Sequence, residues 1–267
     1  MDPAASPDLA VALGTYLDAV DAAAPGLVEG LYVVGSAALD DWITGASDID
    51  LVAVTAEPAT DDDFRALIAA HADLAARQPL PHVDGVYLAW GDLGIEPATG
   101  LHRPWVLDGV PHHDGDCFEV NPITWYTLAN HALTVRGPSP SGLGIACDME
   151  ARIRFVVDHL GGYWREVART IAGSSGSGAE WDAGSLEWCV LGSLRLHHTA
   201  FTGEVVSKSA AGRFGLESMP VEFHDVIRHA LQVRADADRS SVITAAEMGE
   251  VAHLIDTVVD EVLAAAG

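Results

Sequence analysis

The sequence predicts an α+β fold in two parts: a β-sheet flanked by helices, then a part made of helices alone. Three observations lead there. Short apolar runs alternate with helical periodicity up to about residue 133. A Pro/Gly/Ser-rich break follows at Arg136-Gly137-Pro138-Ser139-Pro140-Ser141-Gly142. Beyond Cys147 the apolar residues recur at steps of three and four. The boundary drawn at this break divides the chain into residues 1–143 and 144–267.

The elements follow in order. Leu9, Leu13, Leu17 and Val20 predict a helix over residues 7–24, with Ser6 or Asp8 available as its cap. Two short strands are expected near 30–34 and 49–55. Asp61 to Ala76 reads as a second helix, with Asp61, Asp62 and Asp63 at its positive end. Val83 to Trp90 is apolar and aromatic enough for a third strand. Residues 91–121, rich in Gly, Pro and His, read as one long irregular segment. Ile123 to Leu133 suggests a further helix. In the second part, Ile153, Val156, Val157, Leu160, Trp164 and Val167 predict one helix from Met149 to Thr170. A Gly/Ser loop at 173–178 comes next, then helices over 186–201, 221–233 and 244–265.

Chemistry concentrates in the run Ser47-Asp48-Ile49-Asp50-Leu51. Alternate side chains of a strand share a face, so Asp48 and Asp50 point together while Ile49 and Leu51 face a core. Paired carboxylates on a rigid edge suit Mg2+, which prefers oxygen ligands and keeps substrate phosphates in its shell. Gly35-Ser36 supplies a tight turn whose amides and hydroxyl suit phosphate oxygens. A lone Asp-x-Asp is more often a solvated strand end. The compound pattern of strand, Gly-Ser, spacer, Asp-x-Asp, strand is much rarer by chance.

Composition narrows the class. The 267 residues suffice for one large or two modest domains, and 49% hydrophobic with 20% charged is ordinary for a soluble globular protein. No apolar run is long enough to span a membrane, and Met1-Asp2-Pro3 begins no secretory leader. Cys117, Cys147 and Cys189 are few and widely spaced, which argues against a disulfide framework or a thiolate zinc site and for a reducing cytoplasm. The balance of 39 acidic against 14 basic residues gives a formal charge of −25. Such a surface repels nucleic acid and favours a cationic partner. The same acidity also serves solubility alone.

With these residues in hand, the chain resembles the nucleotidyltransferase superfamily with the polymerase-beta-like fold. Gly35-Ser36 followed by Ser47-Asp48-Ile49-Asp50-Leu51 carries the resemblance. Leu133-Thr134-Val135-Arg136-Gly137-Pro138 looks like the end of the catalytic domain in aminoglycoside adenylyltransferases. Leu191-Gly192-Ser193-Leu194-Arg195 through Val206-Ser207-Lys208 looks like the second, helical domain of the 3″/9-type enzymes. The resemblance implies a small mixed sheet flanked by helices and a C-terminal helical bundle. It implies an enzyme that uses ATP and Mg2+ to adenylylate a hydroxyl of an aminoglycoside-like cationic molecule, the reaction of antibiotic resistance. The acceptor instead being another metabolite or a protein hydroxyl, or the chain being a weakened nucleotide binder, are the alternatives. A monomer is expected.

The site roles carried over are these. Gly35 and Ser36 hold phosphates, and Asp48 and Asp50 ligate Mg2+. Asp84 stands where the family has a glutamate that deprotonates the attacking hydroxyl, one methylene shorter, and is base or third ligand. Arg195 and Lys208 match an arginine and a lysine on the triphosphate. Lys208 is the only lysine in the chain, against 13 arginines. A solvated lysine and a snorkelling arginine are the bland alternative. The family aspartate that contacts the drug falls on Ser185, so Asp182 and Glu187 are the substitutes expected at the acceptor, and Trp188 reads as core. A family tyrosine near the base has no match around Ala230–Val233. His112-His113-Asp114-Gly115-Asp116 lacks helical zinc spacing and reads as a polar loop.

Overall fold

The computed structural model describes residues 6–77, 81–97, 101–113, 115, 117–174 and 180–267. The chain divides into two compact units, Met1–Asp148 and Met149–Gly267. Asp114, Asp116 and the middle of the Gly/Ser loop at 175–179 lie outside the described residues.

The first unit runs α1 (Pro7–Ala23), β1 (Gly30–Val33), α2 (Gly35–Ala38), β2 (Ile49–Thr55), α3 (Asp61–Ala76), β3 (Val83–Ala89), β4 (Trp105–Leu107), β5 (Val110–His112), α4 (Pro122–Asn130) and β6 (Leu133–Arg136). Pro7 opens α1, where its missing N–H is harmless. Thr60 and Asp63 form a reciprocal capping box at the start of α3. Asn121 caps α4 by accepting from the amides of Ile123 and Thr124.

The six strands form one mixed sheet in the order β5-β4-β3-β2-β1-β6. Only β2 and β3 run parallel; the other neighbours are antiparallel. Alternation along β2 sorts the sheet's two faces. Ile49, Leu51 and Ala53 pack into the core beneath α1 and α3, with Leu9, Leu13, Leu67 and Tyr87. Val52 and Val54 pack on the other face with Val86, Leu88, Trp125 and Leu128. Asp50 and Asp84 have the parity of this second face and are register partners. Gly85 lets β3 approach closely there: a β-carbon on it would lie 2.1 Å from the Leu51 carbonyl oxygen.

Two expectations for this unit are corrected. Residues 91–121 are not irregular throughout; they contain the β4–β5 hairpin. Asp108 and Gly109 at its turn both have positive φ, 51° and 74°, as a two-residue turn of this kind requires. The helix expected over 123–133 stops at Asn130, and Leu133–Arg136 pairs with β1 as an edge strand. Arg136 is fixed by Asp21 of α1 and the Val28 carbonyl, which ties that edge to the first helix.

The second unit runs α5 (Met149–His159), a π-helical turn at Leu160–Trp164, α6 (Arg165–Ser174), β7 (Trp181–Asp182), α7 (Ala183–Thr202), α8 (Lys208–Ser218), α9 (His224–Asp236), β8 (Val242–Ile243) and α10 (Ala245–Ala266). The single helix expected from Met149 to Thr170 is thus interrupted. Its wide turn carries Gly161-Gly162 and aims the buried Trp164 at Gly192 of α7. Helix α8 was not expected. Its buried face is Ala211, Gly212 and Gly215, packed on leucines of α7 and on Leu231 and Ile227 of α9. A face of glycine and alanine carries little hydrophobic signal.

Candidate nucleotide and metal site

In the first unit, the starts of β2 and β3 are pinned together by the Ile49 amide on the His82 carbonyl, 2.8 Å. The loop before β2 is closed by the Ile43 amide donating to the Ser47 hydroxyl, 3.0 Å. These bonds present the exposed Asp48 beside Asp50. Gly35 sits at φ 61°, where a β-carbon would fall 1.7 Å from Asp50 Oδ2. The glycine therefore does more than turn the chain: its bare backbone makes room for the Asp50 carboxylate. Ser36 follows in the four-residue helix α2.

Asp84 lies opposite Asp50 in register, and its Oδ1 accepts from the Asp108 amide at 2.6 Å. Burial pushes the Asp84 carboxyl up to about 6; the Asp108 amide opposes this, while the charges of Asp48 and Asp108 add to it. Asp48 is thus close enough to be felt. Among the described residues no three His, Cys, Asp or Glu side chains close around one point as a metal cage. The three carboxylates expected to share one ion do not close into such a cage among the described residues, and Asp84 Oδ1 accepts from the Asp108 amide. The set present is hard oxygen from Asp48 and Asp50 with Asp84 adjacent. That fits magnesium, which commonly takes one or two carboxylates and completes its shell with water and phosphate.

The raised carboxyl gives a test of sign. In metal-free protein Asp84 is neutral in both states well below pH 4 and charged in both well above pH 6. Between them the folded state holds the extra proton, so its stability falls as pH rises. Asp84→Asn, which keeps the acceptor for Asp108 but cannot ionise, is expected to be neutral to stability at about pH 3, below the unfolded value. It is expected to stabilise by about 1–2 kcal/mol at pH 7, less than the full linkage value because solvent screens the partly exposed carboxyl. Urea unfolding in the presence of a chelator reads this; equal effects at both pH values would contradict it.

In the second unit, Lys208 is the first residue of α8, whose cap is the Ser207 hydroxyl accepting from the Ala210 amide. Its ammonium lies 3.1 Å from Glu187 Oε1. Arg234 Nη1 reaches the same oxygen at 2.9 Å, and Arg239 Nη2 reaches Oε2 at 3.0 Å. Glu187 is 1% exposed. Burial alone would raise its carboxyl; the charges of Lys208, Arg239 and Arg234 outweigh burial and hold it low. Burial lowers the Lys208 ammonium, Glu187 opposes, and Arg234 and Arg195 push it further down. Arg195 Nε donates to the Val206 carbonyl at 3.1 Å, which fixes the link into α8.

Two acceptor-site expectations change. Glu187 does not face an acceptor; it is the buried counter-ion of three cations, because it falls on the apolar stripe of α7 with Ala183, Leu186, Val190 and Leu191. Asp182 caps α7, its Oδ1 accepting from the Ser185 amide at 2.7 Å, and that bond holds its carboxyl below the usual range. Trp188 is not core: it is 40% exposed and stacks on Trp164. His112 stacks on Trp105 and His113 pairs with Asp61, so these histidines serve local packing.

Arg234 and Arg239 escaped the sequence reading. Arg234 shares the buried face of α9 with Val226, Ile227, Ala230 and Val233. A carboxylate on one apolar stripe and a guanidinium on another signal a buried pair. A buried chain of Tyr16, Tyr87 and His71 was also missed: Tyr16 and Tyr87 hydroxyls lie 2.7 Å apart, and His71 Nε2 is 3.0 Å from Tyr87.

Residues 14–89 match the nucleotidyltransferase domain family, and residues 163–261 match the family described as aminoglycoside adenylyltransferase, C-terminal domain. No curated protein matches the sequence. Among solved structures, the spectinomycin adenyltransferase AAD(9) from Enterococcus faecialis, solved with ATP and spectinomycin, aligns over 95% of this chain and 99% of its own. The TM-score is 0.66 and the identity 15%, a likeness of fold.

Proposed function

We propose that this chain, which belongs to the aminoglycoside adenylyltransferase-like nucleotidyltransferases, transfers AMP from ATP to a hydroxyl of a cationic aminoglycoside-like molecule. The observation that carries the reading is the in-register pair Asp50 and Asp84 on one sheet face, with the Asp84 carboxyl raised to about 6. A carboxylate poised near neutrality is a better base than one at its ordinary value. Asp84 takes the proton of the acceptor hydroxyl. The hydroxyl oxygen forms a bond to the α-phosphorus, the bond from that phosphorus to the bridging oxygen breaks, and pyrophosphate leaves with the electron pair. Asp48 and Asp50 are the residues that hold Mg2+, and the ion, when bound, neutralises charge on the phosphates. Ser36 and the Gly35 turn offer donors to phosphate oxygens. Lys208 and Arg195 are the cations offered to the triphosphate.

The chain's −25 formal charge supports a polycationic acceptor and disfavours nucleic acid. No described helix is long and apolar enough to cross a membrane. The test is incubation with Mg2+, ATP and a panel of aminoglycosides, following pyrophosphate. Release that depends on one of them is expected. ATP binding without release from any would move the acceptor to another metabolite or a protein hydroxyl. A second reading, a nucleotide binder with weakened catalysis, rests on the Asp108 amide that occupies Asp84 Oδ1. It requires ATP binding that Asp84→Ala leaves unchanged and no turnover with any hydroxyl.

A further inference from the structure

The buried carboxylate of Glu187 gathers three cations, of which only Lys208 was assigned to phosphate above. Lys208 and Arg239 meet its two oxygens from different elements, at 3.1 and 3.0 Å. Their side chains keep 22% and 33% of their surface in solvent, whereas Arg234 keeps 3%. Arg234 is therefore the buried anchor of the cluster, and Lys208 and Arg239 are its accessible members.

The chain places Arg239 with care. Helix α9 ends at Ala237 in the left-handed region, φ 57°, which turns the backbone back toward α7. The Arg239 carbonyl then accepts from the Gly184 amide at 3.2 Å, and the Ser241 carbonyl accepts from the Ala183 amide at 2.9 Å. Gly184 has no side chain to obstruct this: a β-carbon there would lie 3.2 Å from that of Arg239. The loop is thus fastened to the first turn of the helix that carries Glu187 one turn on. The guanidinium reaches the carboxylate already aligned, so little rotamer entropy remains to be lost when a ligand is gripped.

We propose that Arg239 is a further phosphate-binding residue of this protein, set beside Lys208 by their shared carboxylate, and that its ligand class is the polyphosphate tail of a nucleoside triphosphate. The proposal rests on the nucleotide reading given above. Glu187 acts as a positioning residue: it draws the two head groups to one place before the anion arrives. Two cations of different shape, one a point charge and one a fork, suit the unlike oxygens of a β- and γ-phosphate.

Titration calorimetry of the full chain with ATP and with AMP separates this role from general support. Arg239→Gln is expected to weaken ATP binding about tenfold or more, the scale of one charge-assisted hydrogen bond, and to leave AMP binding within about twofold. Arg239→Lys, which keeps the charge and loses the fork, is expected to fall between. A loss merely through disturbed packing would weaken ATP and AMP alike, and that result overturns the proposal. So does an Arg239→Gln protein that binds ATP as the unaltered chain does, in which case the nucleotide reading stands. If the unaltered chain binds neither nucleotide, both fall together.

Discussion

Asp50→Asn is expected to slow pyrophosphate release by about 10²–10³-fold, the range seen when one preorganised charge-stabilising group is removed. The substitution is isosteric, so the contact with the bare backbone of Gly35 survives. The main-chain bond from the Val34 amide to the Asp50 carbonyl, 2.9 Å, is untouched. What disappears is one negative oxygen ligand at the position in register with Asp84. The loss belongs in the rate and in the magnesium concentration needed for half-maximal rate, not in the thermal midpoint. The isosteric amide keeps the packing against Gly35, so the folded protein is expected to be no less stable. Steady-state rates across a magnesium titration check this, with a thermal melt alongside. A variant as fast as the unaltered chain would remove Asp50 from the metal set.

Much of the first unit was legible because its signals are local. The apolar runs at 30–34 and 49–55 became β1 and β2, and the three aspartates heading 61–76 became a capped α3. That Asp84 would join Asp48 and Asp50 was expected from the resemblance alone, and the register that pairs it with Asp50 has no local signal. Parallel register between strands separated by a whole helix is decided by packing on both faces, which no spacing records. The β4–β5 hairpin was legible and was passed over: Asp108-Gly109 between Trp105-Val106-Leu107 and Val110 is a strong hairpin signal, masked by the surrounding Gly, Pro and His. That turn matters, since its amide holds Asp84. In the second unit, periodicity located the long helices but not what their charges do. Glu187 read as an acceptor-site carboxylate because it lies close to Ser185, where the resemblance places an acidic drug contact. Its partners lie at 208, 234 and 239, on two other helices and a loop, beyond any local window.

Glu187→Gln is expected to destabilise the protein by about 3–5 kcal/mol, the range for removing one partner from a buried ion pair. The amide has the same shape and still accepts, so packing is preserved and charge alone is removed. Three cations then remain around a neutral group at 1% exposure. Lys208 and Arg239 keep some solvent contact, which screens part of the repulsion and places the loss toward the lower end of that range. Arg234, at 3% exposure, has no such relief. Urea unfolding reads the loss, and tripolyphosphate supplies the discriminating arm. If the cations are drawn together for a polyphosphate, the added anion should stabilise the Gln variant more than the unaltered chain, since it takes over the neutralising role of the missing carboxylate. If Glu187 merely filled space, the variant would unfold at the same urea concentration and gain no more from the anion than the unaltered chain does.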